Sequence, residues 1–359
     1  MRHKTFGSRL RAAAALGIVV LLVAAGCANR SPSTRTHSPV PATSGLPASQ
    51  MPTSSPTSKP SQSPVATATP APVYPLVNSC DPATVPGAIS VKTAIVRASS
   101  STLHVPILEY HRIVPFAEAG NSLHGLVVPP ETFSAQLDGL KAAGWQTITT
   151  AAVANDLQAG VKPPPKTFAI TIDDGWGDGY TYALPVLTSH GVVATYFVIP
   201  GRIDQSGFLT SAELRALASA GDEIGDHTMS HFNLAGGSAA TRQYQVDAAA
   251  ARIAQITGHW PESLAYPFGG ENAQAVAAVA ACGELRIALI EGPVPPQKPS
   301  ATEPGASKKP SASPTPRPTE MPVPNETWAN RFTIPRIRVG PGTTSGELLG
   351  EFDRYLRAG

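Results

Sequence analysis

Two short segments hold the residue types that hydrolytic chemistry needs. Thr171-Ile172-Asp173-Asp174-Gly175 carries adjacent carboxylates, and Asp226-His227-Thr228-Met229-Ser230-His231 carries two imidazoles at i, i+4 spacing. Two neutral imidazoles and one carboxylate make a three-ligand site for a divalent cation, with positions left open for water. Zn is the default for such a donor set, and Co, Ni or Fe also suit it. The second carboxylate is then spare to act as a base, so the set points to metal-assisted hydrolysis.

The elements around these segments must bring them together. Thr167–Ile172 reads as a buried strand, so Asp173 and Asp174 stand at its carboxyl end. Successive strand residues point to opposite faces, and both carboxylates reach one site only if the chain turns there, which Gly175 permits. His227 and His231 share a face if their segment is helical. Strand and helix signals alternate along the chain. Strands are expected at Val105–Tyr110, Val192–Val198, Glu223–Ile224, Ser263–Tyr266, Leu285–Ile290 and Thr333–Val339. Helices are expected at Glu131–Ala143, Tyr180–Ser189, Thr210–Ala220, Ser238–Thr257, Ala273–Ala281 and Ser345–Leu356, with Glu213 near a capping-box position. This alternation predicts an α/β fold, a distorted (β/α) barrel of about seven strands, with the site at the carboxyl ends of the strands. It counts against an Fe(II) oxygenase, whose folds are rich in β structure. No GxGxxG follows a strand, so nucleotide binding has no support.

Composition bounds the rest. Pro occurs 37 times, charged residues make up only 14%, and the net charge of +2 gives no reason to expect nucleic acid. Arg2, Lys4, Arg9 and Arg11 precede an apolar stretch, Ala12–Ala25, that is too short for a comfortable membrane span. It ends in Ala24-Ala25-Gly26-Cys27, which resembles a bacterial lipobox. Residues 1–27 are therefore expected to be a lipoprotein signal peptide lipidated at Cys27, with simple secretion as the alternative. The expected location is extracytoplasmic, on a membrane through the lipid anchor. Residues 28–75 are a Ser/Thr/Pro-rich linker unable to bury a core, and 76–359 form the folded domain, interrupted by a Pro-rich insertion at 292–325. A monomer is expected. Cys80 and Cys282 are either a disulfide or two separate buried thiols.

The segments TIDDGWGD, GDHTMSH and AYPFGG, in this order, resemble the polysaccharide deacetylase family, carbohydrate esterase family 4 with its NodB homology domain. The resemblance covers 104–290 and 331–357. It implies metal-dependent removal of acetyl groups, foremost the N-acetyl of GlcNAc units, from an acetylated cell-envelope or extracellular polysaccharide. By motif, Asp173 is the general base and Asp174, His227 and His231 hold the metal. The turn Tyr266-Pro267-Phe268-Gly269 is expected to supply main-chain oxyanion contacts; of the aromatic residues Trp176, Phe268 and Trp145, Trp176 is the one expected to line a sugar groove.

Two departures from the family pattern shape the remaining expectations. Tyr266 stands where the third motif usually begins with Arg, and no His follows His259 to act as the acid. Leu108-Glu109-Tyr110-His111 resembles the opening motif of the circularly permuted branch, which includes the poly-N-acetylglucosamine deacetylases, and this makes His111 the general acid. Ile334-Pro335-Arg336-Ile337-Arg338 resembles that branch's last strand, and Arg336 or Arg338 is expected to pair with Asp173 and keep it ionised. A non-catalytic glycan-binding lipoprotein that retains the fold is the alternative reading.

Overall fold

The computed structural model describes residues 78–90, 102–120, 125–292 and 326–357. The expected signal peptide with Cys27, the linker, and the Pro-rich insertion beyond Gly292 lie outside them. In chain order the strands are β1 (Ile107–Tyr110), β2 (Arg112–Ile113), β3 (Val127–Val128), β4 (Gln146–Ile148), β5 (Thr167–Ile172), β6 (Thr195–Val198), β7 (Glu223–Asp226), β8 (Ser263–Ala265), β9 (Ile287–Ile290), β10 (Ile334–Pro335) and β11 (Ile337–Arg338). The helices are α1 (Phe116–Ala119), α2 (Pro130–Ala142), α3 (Thr150–Ala159), α4 (Leu184–His190), α5 (Ser211–Ser219), α6 (Ala239–Thr257), α7 (Ala273–Ala281) and α8 (Ser345–Arg357).

The main sheet is parallel, in the order β10-β9-β8-β7-β6-β5-β1-β11, with β4 added to the start of β5. The expected strand at Thr333–Val339 is split. Ile334 and Pro335 pair with β9, whereas Ile337 and Arg338 pair with β1. The segment therefore joins the two edges of the sheet and closes it into a barrel, with Arg336 at the seam. Counting β10 and β11 as one split stave, the barrel has the seven staves β1, β5, β6, β7, β8, β9 and β10/β11. Gly292 is required at this seam, because a Cβ there would lie 1.3 Å from the Arg336 carbonyl oxygen.

Strands covered on both faces read as continuous apolar runs, and β1 and β5 are buried at every position. One set of side chains fills the barrel: Ile107, Ala169, Phe197, Ala265, Leu289 and Ile334, joined by Val153, Ala154 and Leu157 of α3. The opposite faces of the strands pack under the helices, with Leu108, Ile170, Leu137 and Phe352 in one cluster and Leu264, Ala288, Val246 and Val279 in another. The β4–α3 unit was not among the expected elements. Its position is fixed by Glu223, whose carboxylate accepts from the Ala151 N–H (2.8 Å) and from the Thr150, Thr195 and Ser263 hydroxyls (2.9, 2.9 and 2.5 Å). These bonds tie the first turn of α3 to the amino-terminal ends of β6, β7 and β8.

Caps set the helix boundaries. Thr210 and Glu213 form a reciprocal capping box at α5. Ser238 caps α6, which stops at Gly258 in the left-handed region.

Cys80 and Cys282 are disulfide-bonded across 202 residues, with Cα atoms 5.2 Å apart. A crosslink of such sequence separation removes much conformational freedom from the unfolded chain. Replacing both cysteines with serine is expected to lower unfolding stability by about 2–5 kcal/mol, with a matching loss in wild-type protein under reducing agent. Equal denaturation midpoints for the oxidised and reduced protein would contradict this.

Candidate active site

The carboxyl ends of the barrel strands converge on one cleft of about 150 Å³, lined by Glu109, His111, Asp173, Asp174, His227, His231, Tyr266, Phe268, Gly269, Glu291, Arg336 and Arg338, with Leu126 at its side. A larger cavity of about 260 Å³, near Asp222, Glu223 and Trp260, contains none of the predicted site residues.

The turn that brings both carboxylates to the cleft begins one residue earlier than Gly175. Asp174 itself has φ 74° and Gly175 has φ 69°. A left-handed non-glycine residue is costly and persists where its surroundings enforce it. Asp173 continues the β5 ladder, its N–H donating to the Tyr110 carbonyl at 2.9 Å. Asp174 swings the other way.

His227 and His231 do not lie on a helix. They flank a turn in which Thr228 and His231 have φ 62° and 60°. Asp226 builds this turn by accepting from the Thr228 N–H at 2.6 Å, and Gln245 of α6 pins it by accepting from the Ser230 N–H at 3.0 Å. The two rings end 4.9 Å apart. Gly225, just before them, is dictated by close packing: a Cβ there would meet the Phe197 ring at 2.5 Å.

The Nε2 atoms of His227 and His231 stand 3.5 and 3.3 Å from Asp174 Oδ1. His227 Nδ1 lies 2.8 Å from the Ala265 carbonyl oxygen, which fixes the proton on Nδ1 and leaves the Nε2 lone pair facing Asp174. One donor atom from each residue falls within a single 4.8 Å group. A carboxylate oxygen and two imidazole nitrogens so placed fit a divalent cation. Burial disfavours charge on His231 and, with His227 beside it, pushes its pKa down to about 4. Burial also opposes ionisation of Asp174, but the two histidines outweigh it and hold the carboxyl below its usual range.

Asp173 is almost fully buried, which by itself would favour its neutral form. Arg336 reverses this. Its two terminal nitrogens donate to the two Asp173 oxygens at 2.7 Å each, and the pKa is lowered. The same guanidinium donates to the Thr171 hydroxyl at 3.0 Å and approaches Glu109 at 3.3 Å. Of the two arginines considered, Arg336 is the one that reaches Asp173. Arg338 instead pairs with Glu291 and stands 3.9 Å from Glu109.

His111 follows β1, with Nδ1 3.9 Å from Glu109 Oε1, and it shares a second 4.8 Å group with Glu109 and Asp173. The motif assigns Glu109 no role. Its sequence signal is an acid in a four-residue strand otherwise made of Ile, Leu and Tyr. Burial raises its pKa, and Oε2 meets the Arg336 guanidinium as an ion pair at 3.3 Å without an aligned hydrogen bond.

Tyr266 is buried, and its N–H is taken by the Leu289 carbonyl at 2.9 Å. Pro267 has no N–H, so Phe268 carries the first main-chain donor after Tyr266. Phe268 has φ 59°, is 62% exposed, and meets the His231 ring edge-on at 4.5 Å.

Trp176 departs from its expected place in a sugar groove. It is not among the residues that line the cleft; its ring stacks on Phe208 at 4.6 Å and has the Arg112 guanidinium 4.7 Å from its centroid.

Residues 160–285 match the family model for polysaccharide deacetylase. The deacetylase-family protein YxkH of Bacillus subtilis is 29% identical over 253 residues, 70% of this chain and 77% of its own length. The peptidoglycan-N-acetylglucosamine deacetylase PgdA of Listeria monocytogenes is 30% identical over 110 residues, and the match spans 30% of this chain and 23% of that protein. Among solved structures, the Streptococcus pyogenes deacetylase PplD superposes with a TM-score of 0.57 at 22% identity, covering 70% of this chain and 98% of that one. IcaB of Ammonifex degensii gives 0.50 at 17%, covering 70% and 97%. These two likenesses speak for the barrel alone. The matched span, with the motifs at the strand ends, marks residues 160–285 as a polysaccharide deacetylase domain.

Proposed function

We propose that this protein is a metal-dependent hydrolase that removes acetyl groups, foremost the N-acetyl of GlcNAc units, from a cell-envelope or extracellular polysaccharide. The observation that carries the reading is the Arg336–Asp173 pair. It keeps a buried carboxylate ionised beside a donor set that fits a divalent cation.

Asp174, His227 and His231 would hold the cation, with Zn the default and Co, Ni or Fe as alternatives. When bound, it would supply Lewis acidity to the acetyl carbonyl and to the attacking water. Asp173 takes the proton from that water. Its low pKa makes it a modest base, and it is ionised through the whole neutral range. The Phe268 N–H is the main-chain donor for the oxygen that gains charge as the carbonyl is attacked. As the carbon–nitrogen bond breaks, His111 gives a proton to the departing amine, and acetate leaves. Glu109 Oε1 stands 3.9 Å from His111 Nδ1.

Residues further out support an extracytoplasmic location. A disulfide persists in oxidising compartments, and the lipobox at Cys27 would tether the domain to a membrane while the 28–75 linker lets it reach a glycan.

Acetate release from N-acetylated glycans, with and without chelator, tests the reading directly. Asp173→Asn is expected to lower kcat/KM by roughly 10²–10⁴-fold while metal content is retained. If metal-loaded wild type releases no more acetate than this variant from any acetylated glycan, the chain is a glycan-binding protein and not an enzyme.

Arg336 carries a pH signature. Activity requires ionised Asp173, and Arg336 holds that pKa down against burial. Without the guanidinium, burial raises the pKa, so the acidic limb of the kcat/KM profile should move to higher pH. Arg336→Met is expected to show this shift together with a loss of stability of roughly 3–5 kcal/mol, because it strands a buried carboxylate. Arg336→Lys keeps a charge but not the bidentate geometry, and should show a smaller shift. An unmoved acidic limb in both variants would remove Arg336 from the mechanism.

A further inference from the structure

Trp176 does not line the cleft, yet its one polar atom points at the proposed metal site. The indole N–H donates to Asp174 Oδ2 at 3.1 Å, while the other oxygen, Oδ1, is the one that faces His227 and His231. The ring belongs to a cation–aromatic cluster. Arg202 lies over Phe208 at 5.0 Å, Phe208 stacks on Trp176 at an interplanar angle of 21°, and Arg112 lies over the Trp176 ring at 4.7 Å. Arg112 is itself held by an ion pair with Asp178 at 2.6 Å and by donation to the Ala119 carbonyl at 3.0 Å. Main-chain bonds lock the two aromatic residues together: the Gly177 N–H donates to Gly207 and the Leu209 N–H to Gly175, each at 2.9 Å.

We infer that Trp176 is a positioning residue for Asp174, and that the cation–aromatic stack exists to aim its N–H. This rests on the reading of Asp174, His227 and His231 as metal ligands.

The physical argument concerns the carboxylate's rotation. Asp174 sits in a left-handed turn and could turn either oxygen, or both, toward a cation. A donor fixed on Oδ2 removes that freedom. It leaves Oδ1 as the single inward ligand and stabilises the negative charge on the group. Hydrogen-bond partners of this kind, one step outside the ligands, typically carry 10–100-fold in metal affinity. The stack supplies the rigidity: an indole packed against a guanidinium and a phenyl ring has little freedom to tilt its N–H away. The contacts with Phe208 and Arg112 also engage the tryptophan ring away from the cleft lining. The role of sugar platform is left to Phe268, which is exposed and at the cleft mouth.

The test is equilibrium Zn²⁺ and Co²⁺ binding to the metal-stripped domain, by competition with a chelating dye, together with the visible spectrum of the Co²⁺ form. Trp176→Phe keeps an aromatic ring, though a smaller one, and deletes the N–H. It is expected to weaken metal binding by about 10–100-fold and to alter the Co²⁺ spectrum, because Asp174 is free to change its ligation. Arg112→Met keeps the N–H and loosens the stack, so it should weaken binding in the same direction and by less. Loss of metal binding by the wild type itself would sink the metal reading, and the inference with it. Wild-type affinity and an unchanged Co²⁺ spectrum in both variants would sink the inference alone. A raised KM for glycan in Trp176→Phe at unchanged metal affinity would likewise overturn it and return Trp176 to the sugar groove.

Discussion

The bidentate bond between Arg336 and Asp173 is where the fold and the chemistry depend on each other. Arg336 sits at the only place where the barrel changes partners, between a dipeptide paired to β9 and a dipeptide paired to β1. A guanidinium buried at the closing seam would be untenable without full pairing. Here the two Asp173 oxygens, the Thr171 hydroxyl and the Glu109 carboxylate provide it. Closure of the barrel thus needs a carboxylate at the end of β5, and an ionised carboxylate at the end of β5 needs closure. Thr171 extends the dependence to β1, since its hydroxyl donates onward to the Leu108 carbonyl at 2.8 Å.

The same cleft concentrates the backbone strain. Six described non-glycine residues have positive φ, and four of them, Asp174, Thr228, His231 and Phe268, belong to this site. Such conformations cost on the order of 1–3 kcal/mol each and persist only where neighbours over-determine them. The neighbours can be named: the Asx bond of Asp226, the clamp of Gln245 from α6, and, for Asp174, the indole of Trp176. The long α6 helix and the stack around Trp176 therefore hold the turns that carry Asp174, His227 and His231, although neither belongs to that group of three.

Much of this was legible in the sequence because it depends on local chemistry. The β5 strand, the α7 helix and the α5 capping box fall where apolar runs and caps predict them. The gathering of Asp173, Asp174, His227 and His231 also follows from motif and strand-end logic. What escaped depends on partners far along the chain. The β4–α3 unit is short and Ala/Thr-rich, and it is positioned by Glu223 rather than by its own pattern. The i, i+4 spacing of the histidines suggested a helix, but Asp226 competes for the backbone and makes a turn. Trp176 looked like a sugar platform because an aromatic next to an acidic motif reads that way until Arg112 and Phe208 are seen against its ring. Thr333–Val339 reads as one strand, and only a closed sheet reveals that its two halves answer to different neighbours.

The placement of His111 shows what chain order can and cannot decide. In a closed barrel no stave is first, so a residue at the end of β1 can face Asp173 whether its strand comes early or late in the sequence. What cannot vary is register. Tyr110 is aligned with Ile172, and the Asp173 N–H bonds to the Tyr110 carbonyl, so the next residue on each strand, His111 and Asp173, must emerge side by side. A slip of one residue between β1 and β5 would turn His111 away from the cleft and Glu109 with it, since side chains alternate along a strand. Register is held by the apolar faces of β1, whose Ile107 enters the barrel core while Leu108 and Tyr110 pack under the helices. The alternation Ile107, Glu109, His111 against Leu108, Tyr110 is thus a single constraint. The hydrophobic residues that fix the strand also fix which acid and which histidine meet Asp173.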